Sequence, residues 1–254
     1  MTLLPKGPRE LAETAIWQDV EFGSYVADLP LWVELARDAD GTVLELGAGS
    51  GRVSLRLARA GFEVIAVERD PDLAKELEQR ARGLPVRVIE GDITALEQLL
   101  RAAGGPGIGL AIAPLQVVQT LDDDERRGLL EGLASILGPA ARCAVSLVDE
   151  STLVEQGVAA APKPDMREVG GWVYYSEPLW VQVSDHTLRM RRLRERVAPG
   201  GDLVRRVHDD VLHRISPERI EEEARTAALA PVERREIVSS AYEAGSIVIL
   251  LERG

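Results

Sequence analysis

Three glycines, each two residues from the next, follow a short apolar run in the sequence TVLELGAGSGR, residues 42–52. The apolar run predicts a β-strand, and the residues after the loop have the spacing of an amphipathic helix. Gly47, Gly49 and Gly51 allow positive φ angles and let a ligand approach the main chain closely. Amide groups at the start of the following helix favour an electron-rich partner. The segment therefore predicts a strand, a ligand-binding glycine loop and a helix.

The residues around the glycines distinguish between two kinds of ligand. A dinucleotide site requires G-x-G-x-x-G, whose third glycine allows tight helix–strand packing, but here Arg52 holds that position. Glu45, two residues before the loop, would repel phosphates and suits a ligand with a positive centre. Residues 45–51 resemble motif I, E-x-G-x-G-x-G, of the class I S-adenosylmethionine (SAM) methyltransferases, in which the acid faces the amino acid end of SAM. The alternatives are an NAD(P)-dependent oxidoreductase and a non-catalytic SAM-binding protein.

Strands and helices alternate up to about residue 150, and three or so extended segments with turns then follow. The resemblance implies an α/β fold: a Rossmann-like seven-stranded methyltransferase sheet with helices on both faces and an antiparallel β insertion before the last helix. We expect a single domain over 1–254. Its parts are an N-terminal helical lid (1–40), a SAM-binding core (41–150), the insertion (165–215), and a final helix and β hairpin (216–254).

Acidic residues follow the next two predicted strands. Ligands bind at the carboxyl ends of strands in open parallel sheets, and a carboxylate such as Glu68 can accept from both hydroxyls of a ribose. Asp92 lies where the resembled family has a carboxylate that accepts from the adenine amino group, with Ile93 beside the ring. The expected cofactor-binding residues are Glu45, Gly47, Ala48, Gly49, Gly51, Arg52, Glu68, Arg69, Asp92, Ile93, Pro114 and Gln116.

The end of the fourth predicted strand, from Ala113 to Gln116, is where the methyl acceptor would meet the sulfonium. Methyltransferases of nucleic-acid base amines often have Asp/Asn-Pro-Pro-aromatic here, whereas Ala-Pro-Leu-Gln is closer to the small-molecule enzymes. Aromatic residues of the insertion could form the wall of an acceptor pocket, or they could pack the core of a small sheet. The expected substrate-binding residues are Trp17, Tyr25, Gln119, Tyr174, Tyr175 and Trp180.

An amine acceptor needs no strong base, and N-methylation is the favoured reaction; O- or C-methylation would need a general base. Candidates for that base are His208, His213 and Asp149. The two histidines are five residues apart, so on one strand they face opposite sides, and we expect no metal site. The arginines between 189 and 196 predict cross-strand ion pairs on a solvated sheet, with an anionic substrate as the alternative.

Composition excludes several classes of protein. The formal net charge of −12 and the pI near 4.9 argue against a nucleic-acid partner, which requires a basic face. No apolar run approaches the length that spans a membrane. Cys143, the single cysteine, lies in an apolar run and is interpreted as a core residue. We expect a cytoplasmic enzyme with a small-molecule substrate and a homodimer through the β insertion.

Overall fold

The computed structural model describes residues 13–104, 107–151, 164–239 and 244–254. The first twelve residues of the expected lid lie outside these ranges, as does most of the loop expected over 159–164. The elements, in chain order, are α1 (Glu13–Phe22), α2 (Leu29–Arg37), β1 (Thr42–Leu46), α3 (Ser54–Arg59), β2 (Val64–Glu68), α4 (Pro71–Arg80), β3 (Val86–Glu90), α5 (Leu96–Ala102), β4 (Ile108–Ala113), α6 (Asp123–Ile136), β5 (Arg142–Val148), β6 (Asp165–Val169), β7 (Trp172–Val183), β8 (Thr187–Val197), β9 (Leu203–His213), α7 (Pro217–Thr226), β10 (Leu229–Ile237) and β11 (Ser246–Arg253).

A seven-stranded sheet in the order β10-β11-β5-β4-β1-β2-β3 forms the centre of the molecule. β1 to β5 are parallel, and β11 pairs antiparallel with both β5 and β10. Every residue of β2 and β4 is buried, as expected for parallel strands covered by helices on both faces. Cys143 is buried in this core, and burial raises the pKa of its thiol to about 12. The predicted fold class is confirmed.

A second sheet, β6-β7-β8-β9, is antiparallel throughout. It has four strands where the sequence indicated about three, because β6 reads DMREV and has little apolar alternation. Its inner face packs on α1: Trp17 meets Tyr174 edge to face with ring centroids 5.1 Å apart, and Trp172 joins them in one buried cluster. The outer face leaves Met166 and Val207 exposed. The homodimer through this sheet stays a prediction.

The helices that the structure describes are all too short or too polar to cross a membrane.

Helix α6 is fixed to α7 by a buried arginine. Arg126 is 2% exposed and donates to both carboxylate oxygens of Glu223, at 2.7 and 3.0 Å, and to Asp123 at 2.6 Å. Its neighbour Arg127 pairs with Asp124 at 3.2 Å on the surface, where both side chains are more than half exposed. A buried pair that loses one partner leaves an uncompensated charge, whereas an exposed pair contributes little.

Replacement of Arg126 by Met should therefore lower the free energy of unfolding by about 3 kcal/mol. The matched variant Arg127→Met should change it by less than about 0.5 kcal/mol. Urea unfolding of the two variants and the wild type measures both values. Equal losses in the two variants would show that the α6–α7 ion pair does not hold these helices together.

Candidate functional site

The glycine loop between β1 and α3 adopts a left-handed backbone conformation that favours glycine. Gly47 and Gly49 have φ angles of +65° and +56°. A Cβ atom on Gly47 would lie 2.8 Å from the Val117 side chain, and one on Gly49 would lie 2.4 Å from Oε1 of Gln18. The predicted need for glycine here thus has two causes: positive φ angles and the close approach of neighbouring side chains.

Glu68 braces this loop from the end of the adjacent strand. β1 and β2 are parallel neighbours, so their carboxyl ends lie at the same edge of the sheet. One Glu68 oxygen accepts the Gly49 N–H at 2.7 Å, and the other accepts the Asp70 N–H at 2.9 Å. A carboxylate has about four lone-pair sites, so Glu68 can still accept hydrogen bonds from a ligand. The predicted ribose contact remains a prediction.

Glu45 lies at the base of the loop and is 3% exposed. The hydroxyl group of Ser54, at the start of α3, donates a short hydrogen bond to its carboxylate. Burial raises the pKa of Glu45 from an ordinary value of 4.5 to about 7, although the Ser54 hydrogen bond and the charge of Arg52 both act to lower it. A cationic group of a ligand beside this carboxyl would stabilise its ionised form.

A cleft of about 550 Å³ opens above the loop, within the size range of small-molecule sites. Its walls come from α1, the glycine loop, α3, α4, the segment after β4, and β6. The lining residues are Gln18, Asp19, Phe22, Gly23, Glu45, Gly47, Ala48, Gly49, Ser50, Gly51, Arg52, Val53, Leu55, Arg59, Arg80, Pro114, Leu115, Val117 and Arg167. Seven of the twelve expected cofactor residues are among them: Glu45, Gly47, Ala48, Gly49, Gly51, Arg52 and Pro114.

The other five expected cofactor residues lie outside this lining. Asp92 is exposed and accepts hydrogen bonds from the backbone N–H and hydroxyl of Thr94, which hold the pKa of its carboxyl below the usual range. Ile93 is buried in the main core, and the Gln116 amide donates to the Ser246 hydroxyl at 3.1 Å. Arg69 is exposed. The adenine contacts expected of Asp92 and Ile93, and the cofactor contacts expected of Arg69 and Gln116, stay predictions.

Helix α1 is hydrogen-bonded to the glycine loop through residues that the sequence analysis did not identify. Oε1 of Gln18 accepts the Ser50 N–H at 2.7 Å, and Asp19 accepts from the Ser50 hydroxyl at 3.0 Å. Arg80 of α4 donates to both oxygens of Asp19 at 2.9 Å. These partners are 31 to 61 residues apart, so no local sequence signal could indicate the contact. Helix α1 thus lies against the loop, and the lid over residues 1–40 stays a prediction.

The guanidinium group of Arg52 is held by residues of the N-terminal segment. Its terminal nitrogens bond to Asp28, at 2.7 and 2.5 Å, and to the Tyr25 carbonyl at 2.9 Å. Its guanidinium also lies 5.3 Å from the centre of the Tyr25 ring. Nε of Arg52 is buried and has no hydrogen-bond partner among the described residues. A buried donor without a partner is costly, and Arg52 is one of the residues that line the cleft.

The structure corrects the expectation that aromatic residues form the wall of an acceptor pocket. Trp17 and Tyr174 fill the core between α1 and the second sheet. Trp180 lies under the Arg191 guanidinium, 4.8 Å away, and Tyr175 is on the same outer face. Neither the four rings nor Tyr25 lines the cleft. Packing against α1 determined the place of the inner rings, which is the alternative that the sequence left open.

The expected role of Gln119 in substrate binding is also corrected, because Gln119 is fully buried. Its amide nitrogen donates to the His213 carbonyl at 3.1 Å, and its amide oxygen accepts the Val148 N–H at 2.8 Å. Gln119 therefore joins β5 to β9 and has no access to the cleft.

None of the three candidate bases lines the cleft. His208 lies on β9, with Nε2 3.1 Å from Asp210, and borders a separate cavity beside α1. His213 ends the same strand. Asp149 follows β5, and its N–H donates to the Gly245 carbonyl at 2.8 Å. The structure thus does not bring these side chains to the glycine loop.

The arginines of β8 form ion pairs, as the sequence indicated, but two of their partners are on α1. Arg191 pairs across the strands with Asp209 at 2.6 Å. Arg194 donates to both oxygens of Glu21, at 2.7 and 2.6 Å, and Arg196 reaches Glu13 at 2.6 Å. The β insertion is thereby tied to the helix that covers the glycine loop.

The segment after β4 is strained where it borders the cleft. Leu115 and Gln116 are consecutive non-glycine residues with φ angles of +48° and +59°. Such conformations cost about 1–3 kcal/mol each and are retained mainly at functional sites. The Gln116–Ser246 hydrogen bond and the buried Gln119 hold this segment in place.

The raised pKa of Glu45 predicts a pH-dependent stability. The folded state keeps the proton up to about pH 7, whereas the unfolded chain releases it near 4.5, so the folded state binds more protons between these values. The Glu45 contribution to the free energy of unfolding therefore falls by about 3 kcal/mol as the pH rises through this window. In Glu45→Gln this fall should be absent, while Glu90→Gln, at the exposed end of β3, should keep it. Urea unfolding from pH 4.5 to 8 measures it; parallel curves for the wild type and Glu45→Gln would contradict the assignment.

Residues 43–140 match the family described as a methyltransferase domain. Among curated proteins, the dimethyladenosine transferase of Schizosaccharomyces pombe is 33% identical over 93 residues, which are 33% of this chain and 30% of that protein. The chain spans less than a third of the length of the curated relatives it matches first. This similarity is therefore confined to about a third of the chain.

Solved structures match over nearly the whole chain. An S-adenosylmethionine-dependent methyltransferase from Clostridium acetobutylicum superposes with a TM-score of 0.70 at 17% identity, over 94% of this chain and 97% of that one. The sugar N-methyltransferase KedS8 from Streptoalloteichus superposes with a TM-score of 0.73 at 13% identity, over 100% and 96%. At these identities the likeness establishes the fold. Residues 43–140 match the methyltransferase domain family, and the chain as a whole has the fold of the SAM-dependent methyltransferases.

Proposed function

We propose that this protein transfers a methyl group from SAM to an amine nitrogen of a small molecule. The observation that carries the proposal is the glycine loop over the buried Glu45, braced by Glu68 and open to a cleft of about 550 Å³. A carboxyl at the base of such a loop suits a cationic ligand and repels phosphates, which supports SAM over a dinucleotide.

Glu45, Arg52 and the glycines line the cleft, whereas Glu68 and Asp92 lie outside its lining, at the ends of β2 and β3; together they are the residues we assign to SAM. Glu45 would take the ammonium group, whose charge offsets the cost of ionising a buried carboxyl. Nε of Arg52, a buried donor without a partner in the described residues, would take the carboxylate. Gly47 and Gly49 let the ligand lie against the main chain. Glu68 would accept from the ribose, and Asp92 from the adenine.

SAM supplies an activated methyl carbon: the acceptor nitrogen forms the new N–C bond as the C–S bond breaks, and the electron pair stays on sulfur. The protein must hold the nitrogen in line and exclude water. Pro114, Leu115 and Val117 form the acceptor side of the cleft, and α1 covers it. The methylated ammonium then loses its proton to solvent.

The lining of the cleft supports an amine over a hydroxyl acceptor. Its titratable residues are Asp19, Glu45 and four arginines, and no histidine, lysine, tyrosine or cysteine is among the described residues that line it. Asp19 is occupied by Arg80, Arg167 and the Ser50 hydroxyl. A hydroxyl would need a general base, whereas a neutral amine needs none.

A small-molecule acceptor is supported against an RNA acceptor. The similar dimethyladenosine transferase covers only a third of this chain. The net charge of −12 opposes binding to a polyanion, and Ala113-Pro114-Leu115-Gln116 differs from the Asp/Asn-Pro-Pro-aromatic signature. KedS8, which matches over the whole chain, is a sugar N-methyltransferase.

The cofactor assignment is tested by thermal unfolding with SAM, S-adenosylhomocysteine, NAD and NADP. A ligand at about 100 times its Kd stabilises the folded state by about 2.7 kcal/mol, which raises the Tm of a chain of this size by about 5–10 °C. We expect this shift with SAM and S-adenosylhomocysteine only. A shift with NAD or NADP alone would replace the proposal with an oxidoreductase.

Glu68→Ala should weaken SAM binding by about tenfold or more, because it removes both the loop brace and the ribose acceptor. Glu90→Ala, at the equivalent end of the neighbouring strand β3, is the matched control and should bind SAM as the wild type does. Isothermal titration calorimetry gives both affinities. Unchanged affinity in Glu68→Ala would remove Glu68 from the site.

A further inference from the structure

The lining of the cleft is basic in a chain whose net charge is −12. Four arginines line it: Arg52, Arg59, Arg80 and Arg167. Among the described residues that line the cleft, only Asp19 and Glu45 are acids, and Glu45 is so deeply buried that its pKa is raised to about 7. This excess of positive charge in the lining is opposite in sign to the net charge of the chain. A local role of the arginines must therefore explain it.

Three of these arginines are neutralised by carboxylates of the protein. Arg52 pairs with Asp28 at 2.5 Å. Arg80 pairs with both Asp19 and Glu76 at 2.9 Å, and Arg167 shares Asp19 at 3.1 Å. These ion pairs hold α1 and the β insertion over the glycine loop. The three arginines therefore have a structural role that explains their positive charges.

The side chain of Arg59 differs from those of the other three arginines, because it has no hydrogen bond or ion pair with any described residue. It is the last residue of α3 and lines the cleft one turn after Leu55, while remaining exposed. Its charge is compatible with the negative end of the α3 dipole, but Arg56, exposed on the same turn and outside the cleft, serves that role equally. The dipole alone therefore does not explain an arginine that faces the ligand space.

The cofactor that we propose would add to this positive charge. SAM has a sulfonium, an ammonium and a carboxylate at neutral pH, a net charge of +1, and Glu45 can balance that charge when ionised. The charge of Arg59 then stays unmatched in the loaded cleft. A single excess positive charge favours a monoanion, and a guanidinium binds a carboxylate through two parallel hydrogen bonds.

On these grounds, and resting on the proposed methyl transfer, we propose that the acceptor amine also carries a carboxylate and that Arg59 binds it. The substrate class is then an amino acid or an amine attached to a carboxylic acid. Arg59 would orient the acceptor, with its carboxylate at α3 and its nitrogen directed to the methyl group near Pro114 and Leu115.

The test uses matched acceptors: a panel of amino acids and their primary carboxamides, which have almost the same shape but no negative charge. S-adenosylhomocysteine formation at saturating SAM gives kcat/KM for each member. We expect the wild type to prefer the carboxylate by about tenfold, since a charge-assisted pair is lost with the amide. The amide is the more readily deprotonated amine, so amine basicity cannot produce this preference.

Arg59→Gln should reduce the preference to about twofold or less, with the rates of the amides and the Kd for SAM unchanged. Arg56→Gln removes the same charge from the same helix and should behave as the wild type does. A wild-type enzyme that uses both members equally would overturn the proposal. So would an Arg59→Gln variant with weakened SAM binding and equal loss for both members, since Arg59 would then bind the cofactor.

If the panel contains no substrate that is turned over, the same pairs are titrated into protein loaded with S-adenosylhomocysteine. Binding of carboxylates that is lost in Arg59→Gln supports the proposal, and no binding of any carboxylate overturns it. The proposed function fails separately. Absence of SAM binding would refute methyl transfer, whereas SAM binding with transfer to neutral amines alone would refute only the carboxylate on the acceptor.

Discussion

The hydrogen bond from the Gly49 amide to Glu68 is the contact on which the site depends. It joins the loop after β1 to the end of β2, at 2.7 Å and away from solvent. The loop has three glycines with positive φ angles, which no regular secondary structure stabilises. Its shape is therefore fixed from outside, by a carboxylate that the parallel pairing of β1 and β2 brings to the same edge of the sheet.

The N-terminal helix is the second constraint, because its acids bind arginines of distant elements. Asp19 joins Arg80 of α4 to Arg167 of β6, and Glu21 is held by Arg194 of β8 and the Ser176 hydroxyl. α1 therefore links the core and the β insertion across the glycine loop. Such buried or half-buried pairs are valuable for geometry more than for net stability, which suits a helix that covers a ligand site.

The cleft combines a buried acid of raised pKa, an unpartnered donor and a strained segment. Each costs folding free energy: the Glu45 carboxyl through burial, Nε of Arg52 because it has no hydrogen-bond partner in the part of the chain that the structure describes, and Leu115 and Gln116 through their φ angles. These costs converge on one space beside the glycine loop. A ligand with a cation, an anion and a reactive centre would offset the first two, which is consistent with the methyl transfer proposed for this protein.

The sequence by itself determined the sheet, the glycine loop and the acids at the strand ends, because these depend on local periodicity, turn chemistry and residues within about 20 positions of one another. The place of Trp17, Tyr174 and Gln119, and the absence of His208 from the cleft, were decided only by the tertiary structure. So were the contacts of Gln18 and Asp19 with the loop, and the ion pair of Arg167 with Asp19. These depend on how α1 and the antiparallel sheet pack on the core, through pairs as far apart as 183 residues. No local pattern encodes such pairs. A side chain with both apolar and polar parts can pack in a core or line a pocket, and its distant neighbours decide between the two.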